Sequence, residues 1–221
     1  DSCDADDFRR FVEAHPGYTV ISYVNTSAAV KALTDIVVTS GNARKIVESL
    51  PADEKIIFGP DKNLGGYINS VASRDMLLWQ GACHVHDRFS IDKIMDLKKE
   101  HPEAKILVHP ECRRPLQLIA DKVGSTAALL EFAEKDEAPE YIVVTESGIL
   151  FEMRRKCSSK RFIPAPAEDS ECQCNECDYM KLNTLEKVYA ALRDEAPEIH
   201  VDPEVAAKAI RPIERMLELS V

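Results

Sequence analysis

A strand, polar loop and helix unit occurs twice in this chain, 85 positions apart. Residues 21–64 slide onto 106–149 without a gap, pairing Ile21 with Ile106, Leu33 with Leu118, Val38 with Val123, Ser40 with Ser125 and Ile57 with Ile142. Identities are few, so the pattern is what repeats: an apolar run that ends in polar residues, Tyr23, Asn25 and Ser40 in one copy and His109, Glu111, Ser125 and Thr126 in the other. Strands alternating with helices build parallel sheets, and in such sheets ligands bind beyond the carboxyl ends of the strands. The repeat therefore points at a site as well as at a fold.

The segment-by-segment pattern supports this reading. A first helix over residues 4–14 places Phe8, Phe11 and Val12 on one face and is stopped by His15-Pro16-Gly17. Strands follow at 18–24, 35–39, 55–58 and 76–79, with helical composition at 27–33, 42–50 and 64–71. The second unit opens with a helix at 90–100, capped by Ser90 and ended by His101-Pro102, and its strong strands are 105–108 and 141–144. Helices are expected at 115–120, 127–135 and 149–155. Residues 161–175 turn to Pro, Ala, Glu and Cys and read as a loop, and helices at 181–194 and 203–219 end the chain.

Composition excludes some partners. A formal charge of −10, with no Lys/Arg stripe interleaved with aromatics, argues against nucleic acid. No apolar run approaches the roughly 20 residues that span a bilayer, so no membrane is expected. Seven cysteines, three of them packed into 172–177 and the rest isolated, favour a reducing compartment with metal or redox chemistry.

The cysteines leave several chemistries open. Cys83 sits in a loop after a strand, followed by His84 and His86, and a lone cysteine is ordinarily a small buried apolar residue. Cys174 and Cys177 could form half a zinc site, Cys172 or Cys174 could pair with Cys177 in a loop disulfide, and the widely separated Cys83 and Cys177 are compatible with an iron–sulfur cluster whose thiolates come from distant loops. His109-Pro110-Glu111 puts an imidazole and a carboxylate at a strand end, a pairing suited to proton transfer. Tyr23 and Asn25 share one side of an extended segment and suit a carboxylate or carbonyl. Thr39-Ser40-Gly41-Asn42 and Gly124-Ser125-Thr126-Ala127 each lie between a strand and a helix, where amide groups and the helix dipole favour an anion.

Taken together, the stretches Tyr23 to Ala32, Thr39 to Ala43, Gly59 to Gly65, Trp79 to His86, His109 to Cys112, Val123 to Thr126 and Cys177 to Glu186 resemble the quinolinate synthase family. The resemblance implies repeated three-layer αβα domains with short parallel sheets, related by pseudo-symmetry, two of the family's three being present: residues 1–80, residues 81–165, then a cysteine loop and C-terminal helices over 166–221. It implies a cytoplasmic transferase of NAD biosynthesis that condenses iminoaspartate with dihydroxyacetone phosphate to quinolinate, using a 4Fe-4S cluster as Lewis acid. By the same resemblance Cys83 and Cys177 are two of three cluster ligands, and Tyr23, Asn25, Ser40, His109, Glu111 and Thr126 contact substrate, with Glu111 and His109 catalytic and His86 nearby. Cys3, Cys112, Cys157, Cys172 and Cys174 fall outside the ligand positions, Cys172 and Cys174 being redox partners of Cys177. The first domain, carrying the first cluster cysteine, is expected before residue 1. The alternative from another class is a non-catalytic α/β anion-binding module with a zinc or disulfide cysteine loop.

Overall fold

The computed structural model describes residues 2–168 and 175–220. In the first half, α1 (Ala5–Glu13), β1 (Thr19–Tyr23), α2 (Ala28–Lys31), β2 (Ile36–Val38), α3 (Ala43–Ser49), β3 (Ile56–Gly59), α4 (Lys62–Ala72) and β4 (Leu77–Leu78) form a parallel sheet in the order β2-β1-β3-β4. The second half repeats the plan with α5 (Ile91–Glu100), β5 (Lys105–Val108), α6 (Arg114–Leu118), β6 (Lys122–Val123), α7 (Thr126–Lys135), β7 (Glu140–Val144), α8 (Ile149–Lys156) and β8 (Arg161–Pro164), in the order β6-β5-β7-β8. The helices α9 (Asp178–Lys181), α10 (Leu185–Asp194) and α11 (Pro203–Ser220) complete the described chain.

Each sheet is buried on both faces, as parallel sheets require. In the first, Ile21, Val38 and Phe58 pack with α3 and α4, while Val20 and Ile57 pack on the other face with Phe8 of α1. In the second, Leu107, Tyr141 and Val143 face α7 and α8, and Ile106, Val108 and Ile142 face Ile94 and Leu97 of α5. The helix–sheet–helix layering is thus present twice. The last helix, α11, turns back onto the first sheet, with Met216 and Leu219 against its core and contacts to α2, β2 and α3.

The backbone register corrects the repeat by one residue over its first strands. Asp35 Oδ2 accepts from the Val20 amide at 2.7 Å, and Asp121 Oδ2 accepts from the Ile106 amide at 2.8 Å. Both partners are therefore 86 positions apart (20 to 106, 35 to 121), and so are the two helix caps Asp4 and Ser90. A slip of one residue would turn each strand's side chains to the opposite face. The offset falls back to 85 at β3, where Phe58 and Val143 are equivalent through their partners Ile21 and Leu107. At 86, Tyr23 corresponds to His109, Asn25 to Glu111 and Ser40 to Thr126, so all six residues implied to touch substrate form three symmetry-related pairs.

Two expectations fail locally. Residues 161–164 are the strand β8 rather than loop: as an edge strand it tolerates Pro164, which accordingly sits at its last position. The helix expected over 181–194 begins later, at Leu185, because the Thr184 side chain accepts from the Lys187 amide and starts α10 there, the short α9 ending at Lys181 before it.

The paired aspartate bonds give a direct test of the symmetry. Asp35→Ala and Asp121→Ala should each destabilise the chain by about 1.5–3 kcal/mol, the usual worth of a hydrogen bond to a charged group, and by similar amounts in urea denaturation.

Candidate active site and metal centre

The carboxyl ends of the strands collect the polar residues, and one loop joins them. After β3, Asp61 caps α4 by accepting from the Leu64 amide through Oδ1 at 2.7 Å. Its other oxygen accepts from the Cys83 amide at 2.7 Å, while Lys62 N–H donates to Gly81 O at 2.9 Å. Asp61 is only 3% exposed, so both bonds are shielded from water. Gly81 is obligatory here: a Cβ would stand 2.5 Å from Pro60 O and 2.7 Å from Ser2 O. The loop then enters a short 3₁₀ turn, His86–Arg88, closed by Asp87 N–H donating to Cys83 O.

That turn carries His86 into the second half. Its Nδ1 lies 3.2 Å from Cys83 Sγ and 3.0 Å from Glu111 Oε2, and its Nε2 lies 3.0 Å from Thr145 Oγ1 at the end of β7. The His86 ring stacks on His109 with centroids 4.4 Å apart, and His109 Nδ1 is 3.4 Å from the same Glu111 oxygen. Cys83 Sγ, His86 Nδ1 and a Glu111 oxygen lie within 4.8 Å of one another. Tyr23 approaches this cluster from the first sheet, beside Ser40 and within electrostatic range of Glu111, Cys83 and Asp61.

Burial dominates the electrostatics. It lowers His86 to about 4 and, with the neighbouring His86 ring, His109 to about 3, so both rings are neutral at pH 7. Burial, reinforced by Glu111, raises Asp61 to about 7, Cys83 to about 11 and Tyr23 to about 12. Glu111 itself is raised by desolvation. Asp61, Cys83 and Glu111 face one another, backbone amides and neutral imidazoles, an environment in which a cation would relieve the cost of ionising them.

Other implied residues take distinct places. Cys177 is half-buried at the start of α9, its amide donating to Glu146 Oε1 at 3.4 Å. Its loop is tied to the Cys83 loop twice: Asn175 Nδ2 donates to Val85 O at 2.8 Å, and Tyr179 meets His84 edge-on at 5.2 Å. His84 Nε2 is buried without a hydrogen-bond partner among the described residues. The two anion loops converge, since Ser125 Oγ and Thr39 Oγ1 each lie 3.7 Å from where a Cβ on Gly41 would stand. Ser125 caps α7 through the Ala128 amide, whereas Asn42 bonds back to the Thr39 amide and leaves α3 uncapped by a side chain. Ser40 is half-buried; Asn25 and Thr126 are exposed.

Cys112 is fully buried with its thiol directed to Val144 O, Cys157 is in the core of the second sheet, and Cys3 packs near Phe8. Cys172 and Cys174 lie outside the described residues. Neither Asp61 nor Thr145 is among the site residues that the sequence suggests. For Asp61 a signal existed in its place after a strand and before a helix, the usual position of a cap, but nothing local tied it to a cysteine 22 residues on.

His109 gives a pH prediction. A folded value near 3 against about 6.5 unfolded means that the unfolded chain binds the extra proton, so this group's contribution to stability is intact above about 6.5 and is lost as pH falls toward 3. His109→Gln, neutral throughout, should therefore gain on the wild type in thermal melts between pH 7.5 and pH 5.

The family model described as quinolinate synthetase A protein matches residues 1–218. Curated quinolinate synthases align with the whole chain: that of Microcystis aeruginosa is 51% identical over 220 residues, 69% of its own length. Those of Chloroherpeton thalassium and a Synechococcus strain are 50% and 49% identical, with 68% and 69% of their lengths covered. No described helix is long and apolar enough to cross a membrane. The chain belongs to the quinolinate synthase family, enzymes of NAD biosynthesis.

Proposed function

We propose that this chain forms two αβα domains, residues 1–80 and 81–165, and a cysteine loop with C-terminal helices over 166–221, of an enzyme that condenses iminoaspartate with dihydroxyacetone phosphate to quinolinate, losing phosphate and water, in the cytoplasm. The observation that carries the reading is the convergence of Tyr23, Cys83, His86, His109 and Glu111 from both halves into one buried cluster. A 4Fe-4S cluster fits the donor set. Cys83 is a half-buried thiol within electrostatic range of Glu111 and Asp61, the His84 Nε2 that follows it has no hydrogen-bond partner among the described residues, and the Cys177 loop is fastened to its own. Cys83 and Cys177 would be two ligands, the third coming from a preceding domain in the part of the relatives beyond the matched span. When bound, the cluster supplies an open iron that polarises a substrate oxygen.

The chain's own residues divide the remaining work. Glu111, whose affinity for a proton burial raises, stands beside His86 Nδ1 and is placed to exchange a proton with substrate carbon or nitrogen. His109, kept neutral, orients Glu111 through its ring nitrogen. Tyr23, protonated at neutral pH, donates to a substrate carbonyl or carboxylate, as does Asn25. The converging loops at Ser40 and Thr126 bind the carboxylate and phosphate groups.

The test is quinolinate formation from the two substrates by this chain joined to the preceding domain of a relative, reconstituted anaerobically with iron and sulfide. Glu111→Gln keeps the shape and removes the acid, and should lower turnover by about 10²–10⁴-fold. No product from the wild-type assembly would overturn the reading, and full turnover in the variant would take Glu111 out of the chemistry.

A further inference from the structure

We infer that Cys83, His86 and Glu111 also constitute a mononuclear site for a zinc-class divalent cation, available whenever Cys83 is not engaged by a larger metal group. The inference does not depend on the proposed reaction, because it needs neither Cys177 nor any residue outside the chain.

Geometry comes first. Zinc bonds of about 2.3 Å to sulfur and 2.0–2.1 Å to nitrogen or oxygen place tetrahedral ligand atoms about 3.3–3.6 Å from one another. His86 Nδ1 already stands 3.2 Å from Cys83 Sγ and 3.0 Å from Glu111 Oε2, each within a few tenths of an ångström of that spacing, and all three ligand atoms lie within 4.8 Å of one another. The three come from two loops that the fold holds rigidly. Both His86 and Glu111 are buried, so little side-chain freedom is left to lose on binding.

The surroundings supply what a metal site needs beyond its ligands. A ligating histidine ordinarily donates its other N–H to a fixed acceptor, which sets its tautomer. Thr145 Oγ1, 3.0 Å from His86 Nε2 and itself 3% exposed, is such an acceptor. Asp61 Oδ2 fixes the Cys83 amide, and the Glu111 amide points at His109 Nδ1 at 3.4 Å, so each ligand has its own support. One sulfur, one imidazole and one carboxylate suit zinc better than hard cations, and three protein ligands leave a fourth position open. On binding, the thiol proton leaves to the buffer, any proton on the Glu111 carboxyl leaves likewise, and the imidazole binds through Nδ1 with its N–H on Nε2, donated to Thr145.

Cobalt(II) is the probe. The chelator-treated chain, reduced and kept free of oxygen, should bind one equivalent with a sulfur-to-cobalt charge-transfer band and the intense visible bands of a four-coordinate ion, and zinc should displace it. Cys83→Ser should abolish the charge-transfer band. Thr145→Val, close to isosteric and outside the ligand set, should weaken binding about tenfold to a hundredfold while leaving the band in place. Glu111→Gln should weaken binding as well, with circular dichroism reporting that each variant is folded. Cys177→Ser should bind as the wild type does, which separates this site from a cluster that needs both thiolates. Absence of stoichiometric binding, a charge-transfer band that survives Cys83→Ser, or its loss in Cys177→Ser would overturn the assignment.

Discussion

A single carboxylate, that of Asp61, joins the frame of the molecule to its chemistry. One oxygen starts α4 and so fixes the end of β3; the other holds the amide of Cys83. Because the group is buried, each bond lies in a medium where leaving a partner unmet costs about 1–3 kcal/mol. The Cys83 loop therefore cannot drift from the sheet without exposing both the start of a helix and a buried acid. Everything downstream of that loop inherits its position, including His86, the contact with Glu111 and the stack on His109.

The duplicated architecture explains why polar residues gather at one place. Each half ends its strands on the same side, and the structural offset of 86 brings Tyr23, Asn25 and Ser40 into correspondence with His109, Glu111 and Thr126. The halves have diverged in chemistry while keeping position. The first offers a phenol, an amide and a hydroxyl; the second offers an imidazole, a carboxyl group and a hydroxyl. Acid–base groups are thus concentrated on one side and neutral hydrogen-bonding groups on the other, the division that the proposed function uses. The last helix, α11, supports the first side: Asn42 Nδ2 donates to Ser220 Oγ at 3.0 Å, so the far end of the chain braces the loop that carries Ser40.

Much of this was readable from the residues. Apolar runs at 19–23, 36–38, 56–59 and their counterparts are short and β-branched, and helical composition between them leaves little choice but a parallel sheet. The polar residues that follow β1 and β5 were legible for the same reason, since strand ends are where a sheet stops covering its side chains. The lost residue in the offset was not legible, because a gapless alignment of apolar runs scores nearly as well at 85 as at 86, and only a backbone bond such as Asp121 to Ile106 separates them. Strand β8 was hidden by Pro164, which local propensity counts against a strand but an edge position permits. Thr145 was invisible for a different reason. Its role comes from a contact 59 residues away, and a threonine after a strand carries no mark of what it will face.

The central claim of the proposed function is that Cys83 and Cys177, 94 positions apart in sequence (83 to 177), serve one inorganic cluster. Iron and acid-labile sulfide, measured after anaerobic reconstitution of this chain joined to the preceding domain of a relative, address it most directly. The account predicts a full complement of both in the parent protein and in Cys112→Ser, whose buried thiol is structural, and a severe loss in Cys83→Ser and in Cys177→Ser alike. Undiminished iron and sulfide in Cys177→Ser, or a cluster that fails only when Cys112 is replaced, would contradict it.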